Sequence, residues 1–241
     1  MGALPLAERV AIVTGAGRGI GRAVAEMLAG QGATVVLAAR TRSELAAAAE
    51  AVRGAGGHAL AVPTDVTQDA HVGALVDQTV GQFGRVDILV TAAGVATFGP
   101  VAGAKPEDWD PMIAVNLRAT MVCCRAVLPP MIRQRSGTIV NIASVAATRP
   151  IPGAAAYAAT KAAVVAWSKV LAEELRADGV RVGVVLPGAV DTPLWDTVPG
   201  GPDRARMLTP DAVARAVLLM VTLPAGATLE ELTLLPAGGI L

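Results

Sequence analysis

An α/β fold, with a parallel sheet and helices on both of its faces, is predicted by three features of the sequence. Short apolar, β-branched runs alternate with helical stretches along the whole chain, and alternation of this kind builds parallel crossovers. The first such run ends in a cluster of glycines that opens directly into a helix. The composition is 53% hydrophobic but only 2% aromatic, so the core is built from Ala, Val, Leu and Ile. A chain of 241 residues can bury a sizeable core as one α/β domain. No linker, repeat or low-complexity segment divides it, so residues 1–241 are expected to form a single domain.

The elements follow in order. Val10 to Thr14 is the first buried strand. Thr14-Gly-Ala-Gly-Arg-Gly-Ile-Gly21 comes next, and Arg22 to Gly30 has helical Ala/Met/Leu spacing. Strand, glycine turn and helix form the setting in which a dinucleotide pyrophosphate meets a helix N-terminus. In that setting Gly15 turns the chain, Gly19 lets the backbone approach phosphate, and Gly21 permits close helix–strand packing. Ala33 to Ala39 is a second strand, and Ser43 is expected to cap a helix from Glu44 to Arg53, ended by Gly54-Ala-Gly-Gly57. His58 to Val62 is a third strand, Asp69 to Phe83 a helix closed by Gly84, and Val86 to Val90 a fourth strand. Pro106 to Ile132 is helical but should break or rebuild near Pro111 and Pro129-Pro130. Thr138 to Ile142, the helix Ala154 to Ala177, and Val180 to Leu186 continue the rhythm. Pro187 to Met207 is long and rich in Pro and Gly, which marks a functional loop, and a substrate lid is expected at about residues 190–208. Pro210 to Val221 is the last helix and Leu229 to Leu235 the last strand.

Charge is balanced at 20 basic against 20 acidic residues, which argues against nucleic acid as a partner. The two cysteines, Cys123 and Cys124, are adjacent, and no Cys/His spacing suggests a metal. The N-terminus lacks the features of a signal peptide. No apolar stretch of about 18 residues is free of charge and of Gly/Pro. The expectation is a soluble, cytoplasmic protein without a membrane span.

The chemistry concentrates between Ser144 and Lys161. Tyr157, the only tyrosine of the chain, and Lys161 are one helical turn apart on one face, and Ser144 ends the fifth strand. A phenol, an ammonium and a hydroxyl suit proton transfer to or from a carbonyl or alcohol oxygen, with the lysine expected to lower the tyrosine pKa from about 10. His58 and His71 adjoin no nucleophile motif, so a Ser–His hydrolase is not supported.

Taken together, T-G-A-G-R-G-I-G from Thr14, Asp65-Val66, A-A-G ending at Gly94, V-N-L at Val115 to Leu117, Ser144, Y-A-A-T-K from Tyr157 and P-G-A-V-D-T from Pro187 to Thr192 resemble the short-chain dehydrogenase/reductase family over nearly the whole chain. The resemblance implies one doubly wound Rossmann-type domain with a seven-stranded parallel sheet and the cofactor across the strands' carboxyl ends. It implies Tyr157 as general acid or base, Ser144 as the partner of the substrate oxygen, and Lys161 on the tyrosine and the nicotinamide ribose. Asn116 would hold a water relay. Gly15, Arg18, Gly19, Ile20, Gly21, Arg40, Asp65, Val66, Ala93, Gly94, Pro187, Gly188, Val190 and Thr192 would form the rest of the cofactor site, with Asp65 on the adenine and Thr192 on the carboxamide. The family usually carries Asn-Asn-Ala-Gly after the fourth strand; this chain has Thr91-Ala92-Ala93-Gly94, where Thr91 can replace one hydrogen bond and Ala92 cannot.

The resemblance also bears on cofactor, assembly and substrate. The family's NAD users carry aspartate where this chain has Ala39, whereas Arg40 and Arg18 occupy positions where its NADP users carry basic residues, so NADP(H) is expected over NAD(H). A homodimer or homotetramer is expected through the helices at Met112 to Arg125 and Ala155 to Ala177. The implied activity is a 3-oxoacyl reductase-like or ketone reductase reaction on a small carbonyl or alcohol. A non-catalytic dinucleotide sensor, or an epimerase or dehydratase on the same fold, are the alternatives. Trp195, Met207, Val95, Thr97, Phe98 and Val145 to Ile151 are candidate pocket residues, and a 3-oxoacyl thioester, a diketone, a steroid and a sugar alcohol all remain open.

Overall fold

In the computed structural model, which describes residues 4–198, 201 and 203–239, the strands are β1 (Val10–Thr14), β2 (Thr34–Ala39), β3 (His58–Pro63), β4 (Ile88–Thr91), β5 (Gly137–Ile142), β6 (Val180–Pro187) and β7 (Glu231–Leu234). They pair in parallel in the order β3-β2-β1-β4-β5-β6-β7. The chain winds outward from β1 in one direction and from β4 in the other, which leaves a crevice above the carboxyl ends of those two neighbouring strands. The helices are α1 (Gly19–Gly30), α2 (Arg42–Gly54), α3 (Asp69–Phe83), the short α4 (Asp110–Met112), α5 (Ala119–Gln134), α6 (Ala155–Leu175) and α7 (Pro210–Thr222).

Strand alternation sends the two sides of β1 into different clusters of the core. Ala11 and Val13 of β1 enter a cluster with Leu28 of α1, Leu45 of α2 and Val217 of α7. Val10 and Ile12 enter the opposite cluster, with Leu75 of α3, Met131 of α5 and Leu171 of α6. Both faces of the sheet are therefore covered, and each fully buried Leu or Ile contributes roughly 1.5–3 kcal/mol.

Several expectations change in detail. Ser43 does not cap α2: the helix starts at Arg42, Thr41 is the cap residue, and no side chain caps the end. The first turn begins at the exposed Thr41, Arg42 and Ser43, open to solvent, and Glu44 in it complements the dipole. Pro129 and Pro130 do not break α5; both lie inside it, and the helix continues to Gln134. Pro111 lies at the start of α4, where its missing N–H costs nothing. The irregularity comes instead as a π-helical turn over Ile113–Arg118. The run Pro106–Gln134, with a window of mean hydropathy 1.3, is long and apolar enough to cross a membrane by those criteria alone. Here it is divided into several helical pieces, and Cys123, Cys124, Val127 and Met131 are buried in the second cluster against the sheet.

Candidate active site

A cavity of about 550 Å³ opens above the carboxyl ends of the central strands, a size typical of small-molecule and cofactor sites. Its floor begins at the glycine turn. Gly15 has φ +67°, and a Cβ there would stand 2.8 Å from the Ala92 carbonyl oxygen. Gly21 packs directly on the carbonyl of Gly15, leaving no room for a side chain. Helix α1 then starts at Gly19 with no side-chain cap and no acidic residue in its first turn, and Gly19 and Ile20 line the cavity. An uncapped helix N-terminus over a glycine cradle fits a pyrophosphate. The neighbouring turn after β4 is held by Thr14, whose hydroxyl accepts from the N–H of Ala92 at 3.2 Å and of Ala93 at 3.4 Å.

Thr91, in place of the family's asparagine, keeps a sheet-supporting role. Its hydroxyl donates to Asn141 Oδ1 at 2.7 Å, and Asn141 Nδ2 donates to Ser168 Oγ at 2.9 Å, tying β4 and β5 to α6.

At one end of the cavity Arg18, Arg40 and Asp65 meet Glu44, a lining residue that sequence reasoning missed. The Arg18 guanidinium stands 3.8 Å from the Glu44 carboxylate, a loose ion pair. A Cβ on Gly17 would lie 3.1 Å from Glu44 Oε2, so the carboxylate lies over the glycine turn. Asp65 Oδ1 accepts from the Thr67 hydroxyl at 2.7 Å and from the Thr67 N–H at 3.0 Å. These bonds, with a smaller contribution from Arg40, hold its carboxyl below the usual range against a small opposing effect of burial. Val66 lies beside it and also lines the cavity.

At the other end Ser144, Tyr157 and Lys161 converge. Ser144 sits where β5 leads into a short 3-10 turn, and its Oγ accepts from the Ala146 N–H. Helix α6 brings Tyr157 and Lys161 to the same wall. Lys161 is 5% exposed and donates from Nζ to the Ile142 carbonyl at 2.9 Å. Burial lowers its pKa to about 8. The expected depression of the tyrosine pKa is not met in the protein alone: burial raises the phenol above its ordinary value, and the Ser144 hydroxyl pulls it only partly back. Lys161 Nζ, 5.7 Å from the Tyr157 ring centre, is directed to the Ile142 carbonyl rather than to the phenol oxygen.

Asn116 lies in the π-helical turn, fully buried. Its side chain bridges the Val95 main chain, with Nδ2 donating to the carbonyl and Oδ1 accepting from the N–H, both at 2.9 Å. It therefore lies behind the wall and fixes the segment after Gly94 beside Lys161.

The remaining predicted positions, Ala93, Gly94, Pro187, Gly188, Val190 and Thr192, all line the cavity. Of the predicted pocket residues, Val95, Phe98, Val145, Ala146, Ile151 and Trp195 line it, whereas Thr97, Ala147 to Pro150 and Met207 do not. The expected lid at 190–208 is built around two 3-10 turns, Pro193–Thr197 and Arg204–Arg206, and a bridge from Val190 to Leu208; residues 199, 200 and 202 of that call lie outside the described ones.

Comparison with known proteins agrees with this geometry. Residues 9–201 match the family model described as short chain dehydrogenase. An uncharacterized oxidoreductase of Staphylococcus aureus is 37% identical over 231 residues, 96% of this chain and 98% of the relative. The crystal structure of a metagenomic short-chain oxidoreductase in complex with NADP superposes with a TM-score of 0.85 at 37% identity, over 97% of this chain and 99% of the other. An alcohol dehydrogenase from the archaeon Thermococcus sibiricus, complexed with 5-hydroxy-NADP, does so with a TM-score of 0.87 at 33% identity, over 95% and 97% of the two chains. A glycine-floored crevice at the switch point, a Ser–Tyr–Lys wall and matches over almost the full length lead to one conclusion: the chain belongs to the short-chain dehydrogenase/reductase family of oxidoreductases.

Proposed function

We propose that the protein is an NADP(H)-dependent carbonyl reductase, working in reverse as a secondary-alcohol dehydrogenase, on a ketone or 3-oxoacyl type of substrate. The observation that carries this reading is the meeting of Ser144, Tyr157 and Lys161 at one end of a cavity whose other end offers a glycine cradle and two arginines. When bound, the nicotinamide supplies the hydride. The chain supplies the proton and the geometry. Tyr157 donates its phenolic proton to the carbonyl oxygen in reduction and accepts one in oxidation. Ser144 hydrogen-bonds the same oxygen and fixes it against the phenol. The Lys161 ammonium stabilises the phenolate left behind and holds the nicotinamide ribose. Asn116, whose side chain is engaged with Val95, would hold the water of a relay from Lys161 through its carbonyl, which also accepts from the Thr120 hydroxyl at 2.9 Å.

In the same reading, Gly15, Gly19 and Ile20 cradle the pyrophosphate, Gly21 lets α1 pack closely on that turn, and Arg18 and Arg40 take the 2′-phosphate. Asp65 and Val66 hold the adenine, and Ala93 and Gly94 line the cofactor cavity, with the Cβ position of Gly94 3.8 Å from Lys161 Nζ. Pro187, Gly188, Val190 and Thr192 shape the carboxamide pocket. The NADP and 5-hydroxy-NADP bound to two structural relatives support the phosphorylated cofactor.

The test is Tyr157→Phe, which keeps the ring and removes the phenol. Turnover of a carbonyl panel should fall by at least ~10²-fold, the scale of general acid catalysis, while NADPH binding by calorimetry stays near that of the parent. Turnover within a few-fold of the parent would remove Tyr157 from the chemistry.

A further inference from the structure

The chain has only six aromatic residues, two Phe, three Trp and one Tyr. Phe98, Tyr157 and Trp195, half of this small set, converge on the catalytic end of the cavity. Phe98 stacks on Trp195 with ring centres 5.6 Å apart and planes within 7°. It also meets the Tyr157 ring at 5.8 Å, tilted by 50°. Trp195 is anchored by its indole N–H, which donates to the Val190 carbonyl at 2.9 Å. The Phe98 loop is tied to the segment before α6 by the Gly99 N–H on the Gly153 carbonyl at 2.8 Å. Two separately anchored loops thus hold the aromatic shelf in place without a ligand.

Charge is distributed unevenly in the same cavity. Its charged lining residues are Arg18, Arg40, Glu44 and Asp65 at the far end, and Lys161 beside Tyr157. The described lining also includes the apolar Val95, Val145, Ile151 and Leu194. Lys161, held on the Ile142 carbonyl, is the one cation of the described lining at this end, so a charged substituent lying on the shelf away from it would lose its hydration without a paired counter-charge. A flat apolar group would gain both burial and a ring contact.

We infer that the substrate is an uncharged ketone bearing a planar aromatic group next to the carbonyl, and that Phe98 and Trp195 select it. This deepens the reductase reading and rests on it. In the reaction, the carbonyl carbon takes a hydride from the reduced nicotinamide dinucleotide and the oxygen takes the Tyr157 proton. The aryl ketone is reduced to the secondary aryl alcohol while the nicotinamide is oxidised.

The experiment compares kcat/KM at saturating NADPH for acetophenone, its ring-saturated analogue cyclohexyl methyl ketone, and 4-acetylbenzoate. The aryl ketone should exceed the cyclohexyl ketone by roughly 3- to 10-fold, the fold-change expected of one aromatic contact. The carboxylate should fall at least ~100-fold below acetophenone. Trp195→Leu and Phe98→Leu should each bring the aryl-to-cyclohexyl ratio towards one. Equal use of the aryl and cyclohexyl ketones by the parent, or easy acceptance of the carboxylate, would overturn the inference. Binding of acetophenone to the protein–NADP⁺ complex, followed by tryptophan fluorescence in the parent and in Trp195→Leu, separates the two claims. Binding that depends on Trp195 without turnover of any ketone would overturn the reductase reading and uphold the aromatic pocket. Turnover of aliphatic ketones without any aryl preference would do the reverse, and absence of both binding and turnover would overturn both.

Discussion

Glu44 changes the electrostatics at the end of the cavity proposed for the adenosine ribose. Two arginines alone would strongly favour a 2′-phosphate, but Glu44 places a carboxylate 3.8 Å from Arg18, and Asp65 stands within the field of Arg40. The four charges nearly cancel, so the preference for phosphate depends on how easily Glu44 yields Arg18 to it. Arg18 is 64% exposed and Glu44 36% exposed, and a loose pair so open to water is worth at most about 1 kcal/mol. Competition from Glu44 should therefore weaken the preference without cancelling it. The parent is expected to favour NADPH over NADH by at least ~10-fold in kcat/KM. Glu44→Gln, which keeps the shape and removes the charge, should raise that ratio by up to ~5-fold. Ala39→Asp with Arg40→Ala should reverse it, because a repelling carboxylate is added where a phosphate partner is lost. Initial rates with both cofactors at low substrate read all three. Equal use of both by the parent would show that the arginines do not read the phosphate, and an unchanged ratio in Glu44→Gln would show that the carboxylate does not compete.

Among the elements, β4 depends on a charge cluster at the end of the sheet opposite the cavity. Asp87, just before the strand and 3% exposed, accepts from Arg85, from Arg9 and from the Val10 N–H, with distances of 2.6–2.9 Å. Burial alone would raise its pKa, yet these bonds outweigh it and hold the carboxyl below the usual range. A carboxyl whose pKa is depressed by folding stabilises the fold above the unfolded value of about 3.9 and loses that contribution as pH falls through the folded value. Asp87→Asn should therefore lower unfolding stability by about 1–3 kcal/mol at pH 7, the scale of hydrogen bonds to a charged group. The gap to the parent should close below about pH 4. Urea midpoints across pH 3–7 measure it, and a gap that is independent of pH would locate the effect in packing instead.

The same elements show what could be read from sequence. Helix α3 runs from Asp69 to Phe83 as predicted, because Gly84 takes the left-handed φ of +75° that ends it. Ser144, Tyr157 and Lys161 were legible because one strand end and one helical turn carry them. The π-helical turn was not, since it is coupled to the Asn116 amide bridging a loop 21 residues away in sequence. Glu44 looked like an ordinary helix residue because its partner Arg18 lies on another element.

At the scale of the whole molecule, three of the six large apolar side chains exposed among the described residues lie on the Pro106–Gln134 run and α6. The Pro106–Gln134 run has only 39% of its most apolar window buried, and Ile113 and Ile132 on it are 48% and 37% exposed. On α6, which packs beside that run, Val170 is 58% exposed. These helices cover one face of the sheet and still leave apolar side chains in water, a pattern that favours burial against another copy. A stable dimer removes on the order of 1,600 Å² from solvent, an area within reach of two paired helices contributed by each subunit. A homodimer or homotetramer built on α5 and α6 is the expected state. Light scattering at micromolar concentration should give a mass at least twice that of the 241-residue chain. Val170→Asp would place a charge in the centre of the proposed contact and should shift the population towards monomer, and the shift should be reduced at high salt if like charges across a two-fold axis contribute to it. Val101→Asp, at a residue equally exposed but in the loop after β4, should leave the mass unchanged. A monomeric parent would refute the assembly, and a parent oligomer that survives Val170→Asp would move the contact to another face.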